Sequence, residues 1–248
     1  MIFGYLNLLV DSVLSASNQD SNYPIENIYD TRLSKIFRSV STSVRIVHDA
    51  GLGNTANPSM ITINAHNITN GATIKIEAND SDSWGSPSFS QNITYNDLCI
   101  VKFFIGSAYR YWSIYIDDSE NTDGYIKIGH SFLGDYLQLD FKVGNDFSIF
   151  IQENSKKTVS PTGQVYGHNS GEWLKGYNLN LEWISNDEKD NLLIMYNNVR
   201  NYKPFYFVID EDYINDLPVL YCTIDNSPEF KHIAGYNWTV SYNLLEAK

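Results

Sequence analysis

Short runs in which apolar and polar residues alternate recur along most of this sequence, and they constrain the fold more than any other feature. The segments SVRIVHDA, MITINAHNI and YLQLDFKVG are examples, and residues that favour turns separate them. Alternation with a period of two is typical of strands that are buried on one face. Many short strands at this spacing predict a mainly β fold, an antiparallel sandwich or a barrel.

The dipeptide Asn70-Gly71 predicts one particular connection between strands. It lies between two alternating apolar runs, MITINAHNI before it and ATIKIEAND after it. Asn-Gly is favoured in the tight turn of a β-hairpin, because both residues tolerate positive φ. The sequence therefore predicts that these two strands pair with each other.

Residues 145–248 follow a different pattern, which ends in strand, helix and three further strands. The segment SNDEKDNLLIMYNNVR is the one persuasive helix, with Ser185 as N-cap and Glu188 completing a capping box. Its predicted apolar stripe consists of Leu192, Met195, Tyr196 and Val199. We expect a smaller α+β part with this helix packed on a sheet, and we divide the chain into residues 1–144 and 145–248.

The acidic balance of the chain limits its partners. The sequence has 17 Lys and Arg against 29 Asp and Glu, which gives a formal net charge of −12. A nucleic-acid-binding surface normally needs a basic stripe, so we expect no direct nucleic-acid binding. No segment is long and apolar enough to cross a bilayer, so we expect no membrane insertion. The N-terminal apolar run, which Asp11 interrupts, is interpreted as a first strand rather than a signal peptide.

Motifs for catalysis and cofactors are lacking in the sequence. There is no Gly-x-Ser-x-Gly, no phosphate-binding Gly loop and no His-Glu-x-x-His, so we expect neither an enzyme nor a bound cofactor. The segment DSDSWG begins like a calcium loop, which makes Asp80 and Asp82 metal candidates, but a solvated turn is the favoured interpretation. Cys99 and Cys222 are interpreted as buried free thiols, with a disulfide between them as the alternative.

Three aromatic residues near strand ends are candidates for sugar binding. Trp84 lies in the segment SDSWGSPSFSQ, and Tyr109 and Tyr111 lie near the start of another strand. Exposed aromatic rings on loops can stack on sugar rings. Core packing is the alternative, because the chain contains 18 Tyr in all.

The segment YPIENIYDTRLSKIFRS has neither a helical nor a strand period, and it resembles a segment of galactose-binding-like (discoidin-type) jelly rolls in bacteriophage tail proteins. The matching residues are Tyr23, Pro24, Asn27, Asp30, Arg38 and Ser39, while Phe37 stands where Trp is usual. The later segments ITINAHNITNGATIKIEAND and YWSIYIDDSENTDGYIKIGHSFLG are similar to further parts of the same domains, in the same order. The resemblance covers residues 15–134 and implies a jelly-roll β-sandwich.

Within this resemblance, Asn27, Asp30 and Arg38 are expected to form a structural clasp on a buried aromatic plug. Buried polar groups need partners, so we expect an ion pair between Asp30 and Arg38 beside Phe37. This structural role is favoured over ligand binding by these residues.

The resemblance implies a structural virion protein, a tail-tip or baseplate subunit of a tailed bacteriophage that acts through oligomeric assembly. Its partners would be copies of itself and other phage tail proteins, and it would reside in the virion tail after synthesis in the host cytoplasm. Residues 155–171 are interpreted as a long loop that serves as a contact arm. The alternative function is a lectin-like, carbohydrate-binding module for attachment to a host glycan.

Overall fold

Two units can be distinguished in the computed structural model, which describes residues 1–10, 12–139, 147–169, 171–210 and 219–248. The first unit lies within Ile2–Leu137, and the second lies within Gln138–Ile209 and Leu220–Ala247. The predicted boundary between Gly144 and Asn145 falls outside the described residues and stays a prediction. In the described part of the chain, no helix is long and apolar enough to span a membrane.

Short strands dominate the first unit, and one 3₁₀ turn at Ile25–Tyr29 interrupts them. The strands up to residue 138 are β1 (Ile2–Gly4), β2 (Val13–Ala16), β3 (Phe37–Arg38), β4 (Ser43–Asp49), β5 (Met60–Asn64), β6 (Thr73–Asn79), β7 (Phe89–Asn92), β8 (Cys99–Phe103), β9 (Tyr111–Asp117), β10 (Lys127–Ile128), β11 (His130–Gly134) and β12 (Leu137–Gln138).

Two antiparallel sheets form a sandwich in this unit. Their strand orders are β2-β4-β9-β6-β7 and β11-β5-β8, and β3 pairs separately with β10. Ile114 of the first sheet and Ile63 of the second belong to the same buried cluster, so the core lies between the sheets. Burial of one such side chain stabilises the fold by about 2 kcal/mol. The expected mainly β fold with an antiparallel jelly-roll β-sandwich is confirmed, and two sheets with eight strands suit a jelly roll.

The predicted hairpin at Asn70-Gly71 is wrong. Strand β5 pairs with β8 and β11, whereas β6 pairs with β7 and β9 in the other sheet. Neither Asn70 nor Gly71 has the positive φ that a type I′ hairpin turn requires. The turn instead carries the chain from one sheet to the other, and Thr69 anchors it through hydrogen bonds from its N–H and its hydroxyl to Asp118, 2.7 and 2.6 Å long.

The second unit contains one helix and most of the remaining strands. Its elements are β13 (Ser148–Gln152), β14 (Ser155–Val159), β15 (Val165–Asn169), β16 (Leu174–Ile184), α1 (Asn186–Val199), β17 (Phe205–Val208), β18 (Leu220–Ile224), β19 (Phe230–Ala234) and β20 (Asn237–Glu246). Antiparallel pairing joins β17, β18, β20, β16 and β13 in that order, with β19 also paired to β20.

Helix α1 begins as the sequence predicts. The Ser185 hydroxyl accepts a hydrogen bond from the Glu188 N–H (3.2 Å), and the Glu188 carboxylate accepts one from the Ser185 N–H (2.7 Å). Three of the four predicted stripe residues are fully buried, namely Leu192, Met195 and Val199, while Tyr196 is half-buried. The helix contacts β20, and the Trp238 indole donates to the Asn186 side chain (2.7 Å). The expected α+β part with a helix on a sheet is therefore confirmed.

The predicted loop at residues 155–171 is largely a β-hairpin. Strands β14 and β15 pair antiparallel from Ser155 opposite Asn169 to Val159 opposite Val165. All ten residues of the two strands are exposed. The sequence concealed this hairpin because strands without a buried face need no alternation of apolar and polar residues.

Both cysteines are free and buried, which is the interpretation that the sequence favoured over a disulfide. Burial raises the pKa of the Cys99 thiol to about 12, and it also raises the pKa of Cys222 well above its usual value.

Candidate functional site

Three loops leave the same end of the five-stranded sheet in the first unit. At this end β4 finishes with Asp49, β9 starts with Tyr111 and β6 finishes with Asn79, and these three residues lie side by side in register. The loops are residues 50–59 after β4, residues 80–88 after β6 and residues 104–110 before β9. Loops held by a rigid sandwich are a common place for binding sites.

Asp49 and Arg110 form a planar, bidentate ion pair at this end. Arg110 Nε donates to Asp49 Oδ1 (2.7 Å) and Nη2 donates to Oδ2 (2.8 Å), while the Gly51 N–H donates to Oδ1 (2.8 Å). Arg110 holds the pKa of the Asp49 carboxyl at about 2, and the carboxylate in turn raises the pKa of the guanidinium. The side chains are 20% and 27% exposed, so the pair is fixed in place and still reaches solvent.

The ring of Tyr111 lies next to this pair. The Arg110 guanidinium carbon is 4.7 Å from the centre of the Tyr111 ring, which is a cation–π distance. Trp112, the next residue, is fully buried in the core, so Tyr111 points to the outer face of the sheet. Asp49 lies opposite Tyr111 on β4 and shares that face. A carboxylate, a guanidinium and an aromatic ring therefore meet on one partly exposed surface.

The loops beside the site are fastened to each other. Ala56 and Tyr109 exchange both backbone hydrogen bonds (2.8 and 3.1 Å), and the Trp112 indole donates to the Ala56 carbonyl (3.0 Å). Gly106 approaches Pro58 so closely that a Cβ would collide with the Pro58 carbonyl oxygen. The loop after β4 thus has little freedom to move away from the loop before β9.

Of the three predicted sugar-binding aromatics, only Tyr111 lies in this site. Tyr109 packs against the core cluster, edge-on to Trp112 with ring centroids 6.2 Å apart. The Arg45 guanidinium carbon lies 4.8 Å from the centre of the Trp84 ring, and Arg45 also forms an ion pair with Glu77. Both residues therefore make packing contacts within the first unit.

Asp49 and Arg110 were missed because little in their local sequence marks them as partners. They are 61 positions apart, and each is flanked by strand residues of ordinary composition. The segment YRYW contains a cation between two aromatic rings, which is a weak signal that the sequence does offer.

The metal candidates Asp80 and Asp82 lie in the exposed loop after β6. Both are exposed, and Asp82 Oδ1 accepts a hydrogen bond from the Trp84 indole (2.7 Å). Among the described residues, no group of three or more His, Cys, Asp and Glu could hold a metal ion. A turn fixed by Trp84 describes this segment better than a calcium loop.

The structural clasp at residues 22–39 has different partners from those expected. Asp30 binds Arg32 (2.9 Å) and Lys35 (2.9 Å), and Arg38 instead pairs with Asp20, so the predicted pair between Asp30 and Arg38 is wrong. Asp30 lies at the C-terminus of the 3₁₀ turn, where nearby cations are within reach, and they hold its pKa well below its usual value.

Asn27 is buried and makes a hydrogen bond within the segment at residues 22–39. Its side-chain amide donates to the Ile36 carbonyl (2.8 Å), and its neighbour Ile28 and the plug residue Phe37 are fully buried. The guanidinium of Arg38 lies between two rings, 4.4 Å from the centre of Tyr23 and 4.8 Å from that of Tyr125.

The three segments that carry the phage-tail resemblance meet one another. The Ile126 N–H donates to the Ser39 hydroxyl (2.8 Å), and the Lys127 N–H donates to Asn67 Oδ1 (2.7 Å). His66, next to Asn67, is hydrogen-bonded to the Asn96 carbonyl (3.0 Å), and burial lowers its pKa. These motifs therefore hold the sandwich together, and they do not include Asp49 or Arg110.

Solved structures with some similarity to this chain are lectin and carbohydrate-binding domains. The lectin domain of lectinolysin complexed with Lewis b antigen aligns with a TM-score of 0.42 and 11% identity, over 53% of this chain and 98% of its own. A Streptococcus pneumoniae fucose-binding module gives 0.42 and 9%, over 52% and 95%. The family 32 carbohydrate-binding module from C. perfringens NanJ in complex with galactose gives 0.41 and 13%, over 55% and 100%. No family model and no curated protein matches the sequence.

Proposed function

We propose that the first unit is a non-catalytic carbohydrate-binding module, and that Asp49, Arg110 and Tyr111 form its binding site. The observation that supports it best is the bidentate ion pair beside a partly exposed aromatic ring on the outer face of the sandwich end. Two charged groups that hold each other in position lose little freedom when a ligand binds.

The hydrogen-bonding capacity left in the pair suits the hydroxyl groups of a sugar. Arg110 has five N–H groups, two of which bind Asp49, and the other three have no hydrogen-bond partner among the described residues. The Asp49 carboxylate accepts three hydrogen bonds and retains lone-pair capacity on Oδ2. One hydroxyl of a vicinal pair donates to Asp49 while the other accepts from Arg110, and the Tyr111 ring contacts the apolar C–H face of the sugar.

Glycan binding is tested with the whole chain, labelled and applied to a glycan array, and then by calorimetry with the strongest binder. The array includes Lewis b, fucosylated and galactose-containing glycans, because the neighbouring structures are a complex with Lewis b antigen, a fucose-binding module and a complex with galactose. Tyr111→Ala is expected to weaken binding at least about tenfold, whereas Tyr111→Phe keeps the ring and stays within about twofold of the wild type.

Tyr236→Ala is the matched control, because this tyrosine is 79% exposed in a turn of the second unit. It removes an equal ring and leaves the proposed site intact, so the affinity is expected to stay unchanged. The proposal fails if no glycan binds, or if Tyr111→Ala and Tyr236→Ala bind the strongest glycan equally well.

The second candidate is the structural virion protein that the sequence resemblance implies. The convergence of Ser39, Asn67 and Lys127 favours it, because the three resembling segments occupy one place in the fold. In that case the chain resides in a phage tail, where its partners are other tail proteins and copies of itself. Electron microscopy of native phage particles tests this candidate. A symmetric ring of the chain at a tail end would support it, and particles that lack the chain would contradict it.

A further inference from the structure

The β14–β15 hairpin of the second unit stands apart from the sheet. Its two strands pair with each other, and no other strand in the described ranges joins them. The Ser160 N–H donates to the Gln164 carbonyl (2.8 Å), and Gly163 takes the left-handed conformation that the turn requires, with φ of +83°. A two-stranded hairpin alone is at best marginally stable in water, so a partner surface would stabilise it substantially.

Exposed apolar side chains are concentrated on this hairpin, on the strand that precedes it and just before the strand that follows it. Val159 and Val165 lie directly opposite each other and are 61% and 64% exposed. Six of the nineteen large hydrophobic residues that are exposed in the described chain lie within residues 148–174, and they are Ile149, Ile151, Val159, Val165, Tyr166 and Trp173. Such a concentration marks an interaction surface rather than ordinary scatter.

Charge indicates what this surface contacts. Residues 154–169 include Lys156 and Lys157 but no Asp or Glu, and the nearest acidic residues are Glu153 and Glu172 at the base of the hairpin. Since the whole chain has a net charge of −12, the part without these two lysines carries −14. A basic hairpin is therefore repelled by the same hairpin of another copy and attracted to another copy's acidic body. Lysines on exposed strands also oppose edge-to-edge pairing between hairpins.

An acceptor of suitable charge and size lies on the sheet of the second unit. A concavity of about 450 Å³ is lined by Asn180, Glu182, Glu229, Ser241 and Asn243, among other polar residues. Glu182 and Glu229 are both exposed, and Lys231 neutralises only one of the two, through a 3.3 Å contact with Glu229. The volume lies in the range of ligand pockets and is large enough for a few side chains.

We propose that the β14–β15 hairpin of one copy docks into the concavity of a second copy, with Lys156 and Lys157 facing Glu182 and Glu229. The contact is heterologous, because two different surfaces meet, so it generates a closed ring or an open chain of copies. This inference is independent of the proposed sugar site, but it would present several such sites together and increase avidity.

Sedimentation of the whole chain over about 1 to 500 µM at low salt tests the association. The wild type is expected to form oligomers that dissociate as salt increases, because the contact depends on charge. Lys156→Glu with Lys157→Glu (the arm variant) is expected to stay monomeric. Lys102→Glu with Lys203→Glu changes the net charge equally outside the contact, so this control is expected to associate more than the arm variant. A wild type that remains monomeric throughout overturns the proposal.

A charge exchange identifies the two surfaces. Glu182→Lys with Glu229→Lys (the pocket variant) is expected to be monomeric alone, whereas an equimolar mixture of arm and pocket variants associates, because every contact then joins opposite charges. If the pocket variant alone associates like the wild type, the hairpin binds elsewhere and the proposal is wrong. Circular dichroism verifies that each variant is folded, and Val159→Asp with Val165→Asp provides a second way to remove the hairpin contact.

Discussion

Arg110 binds Asp49 through two parallel hydrogen bonds of 2.7 and 2.8 Å across 61 positions of sequence, and so joins the start of β9 to the end of β4. The pair also fixes the beginning of the loop at residues 50–59, because the Gly51 N–H donates to the same carboxylate. The proposed binding groups therefore also hold the end of the sandwich together. Their contribution to the free energy of unfolding and their contribution to glycan affinity can be measured separately.

The free energy of unfolding should depend on pH through Asp49. Its pKa is lowered to about 2 in the folded state, mainly by the hydrogen bonds from Arg110, so the ion pair stabilises the fold above the unfolded pKa near 3.9. This stabilisation, about 1 kcal/mol after allowance for solvent screening, is lost as the pH falls through about 2. Urea unfolding of Asp49→Asn and wild type is expected to differ at pH 7 and to converge as the pH falls through about 2.

Asp80→Asn is the control for this pH dependence. Asp80 is exposed and has no ion-pair partner among the described residues, so its replacement should change the unfolding free energy much less than Asp49→Asn does. A difference between Asp49→Asn and wild type that persists undiminished at pH 2 would contradict the ion pair as its source.

Trp84→Ala separates a packing role from a binding role. The indole covers Arg45, so its loss should lower the free energy of unfolding by about 1 kcal/mol through the lost cation–π contact and the exposed ion pair. Glycan affinity should stay within about twofold of wild type, since Trp84 lies outside the proposed site. Tyr202→Ala, which removes a ring that is 75% exposed, is the control for stability. A large loss of glycan affinity without a loss of stability would show that Trp84 is part of the binding site.

Double-mutant cycles can test the partners of Arg38. The cycle Asp20→Asn with Arg38→Gln is expected to show a coupling free energy clearly above zero, because these side chains form an ion pair. The cycle Asp30→Asn with Arg38→Gln should show none, since Asp30 binds Arg32 and Lys35. Coupling in the second cycle only would show that Asp30 pairs with Arg38, as the sequence predicted.

The parts of this fold that sequence predicts well are those that depend on neighbours in the chain. Alternation identified strands such as β6 and β20 because their burial changes along the strand, with one face more buried than the other. Ser185 with Glu188 identified the start of α1 because a capping box joins residues only three positions apart. The hairpin predicted at Asn70-Gly71 failed for the opposite reason. Turn chemistry is local, but the choice between pairing β6 with β5 or with β9 is made by the whole core.

The site residues show the same limit more sharply. Asp49 and Arg110 come together only when β4 and β9 pair. For Asp30, the sequence offers several nearby cations as ion-pair partners, and the choice of Arg32 depends on the geometry of the 3₁₀ turn. Of the aromatic candidates, Tyr109 and Tyr111 are two positions apart, so a continuous strand would place both rings on one face. Tyr109 instead lies before β9, where its backbone pairs with Ala56 and its ring packs against the core.

The two cysteines should be unreactive in the folded protein. Both are buried, and burial raises their pKa values, so neither forms the thiolate that attacks a disulfide reagent at neutral pH. Ellman's reagent is expected to detect no thiol at first and two per chain after denaturation in urea. Rapid reaction of one thiol before denaturation would show that its surroundings open readily, and absence of reaction after denaturation would indicate a disulfide.

Gly106→Ala and Gly85→Ala form a matched pair that measures how tightly the loops beside the site are held. Neither glycine has positive φ, so the backbone conformation tolerates alanine at both positions. A Cβ at residue 106 would collide with the Pro58 carbonyl oxygen, whereas nothing lies within 4 Å of one at residue 85. Gly106→Ala should therefore lower the free energy of unfolding by about 1 to 3 kcal/mol, the usual range for overpacking, and weaken glycan binding by displacing the loop before Arg110. Gly85→Ala should change neither quantity, and equal effects of the two substitutions would show that the loops are not fastened to each other.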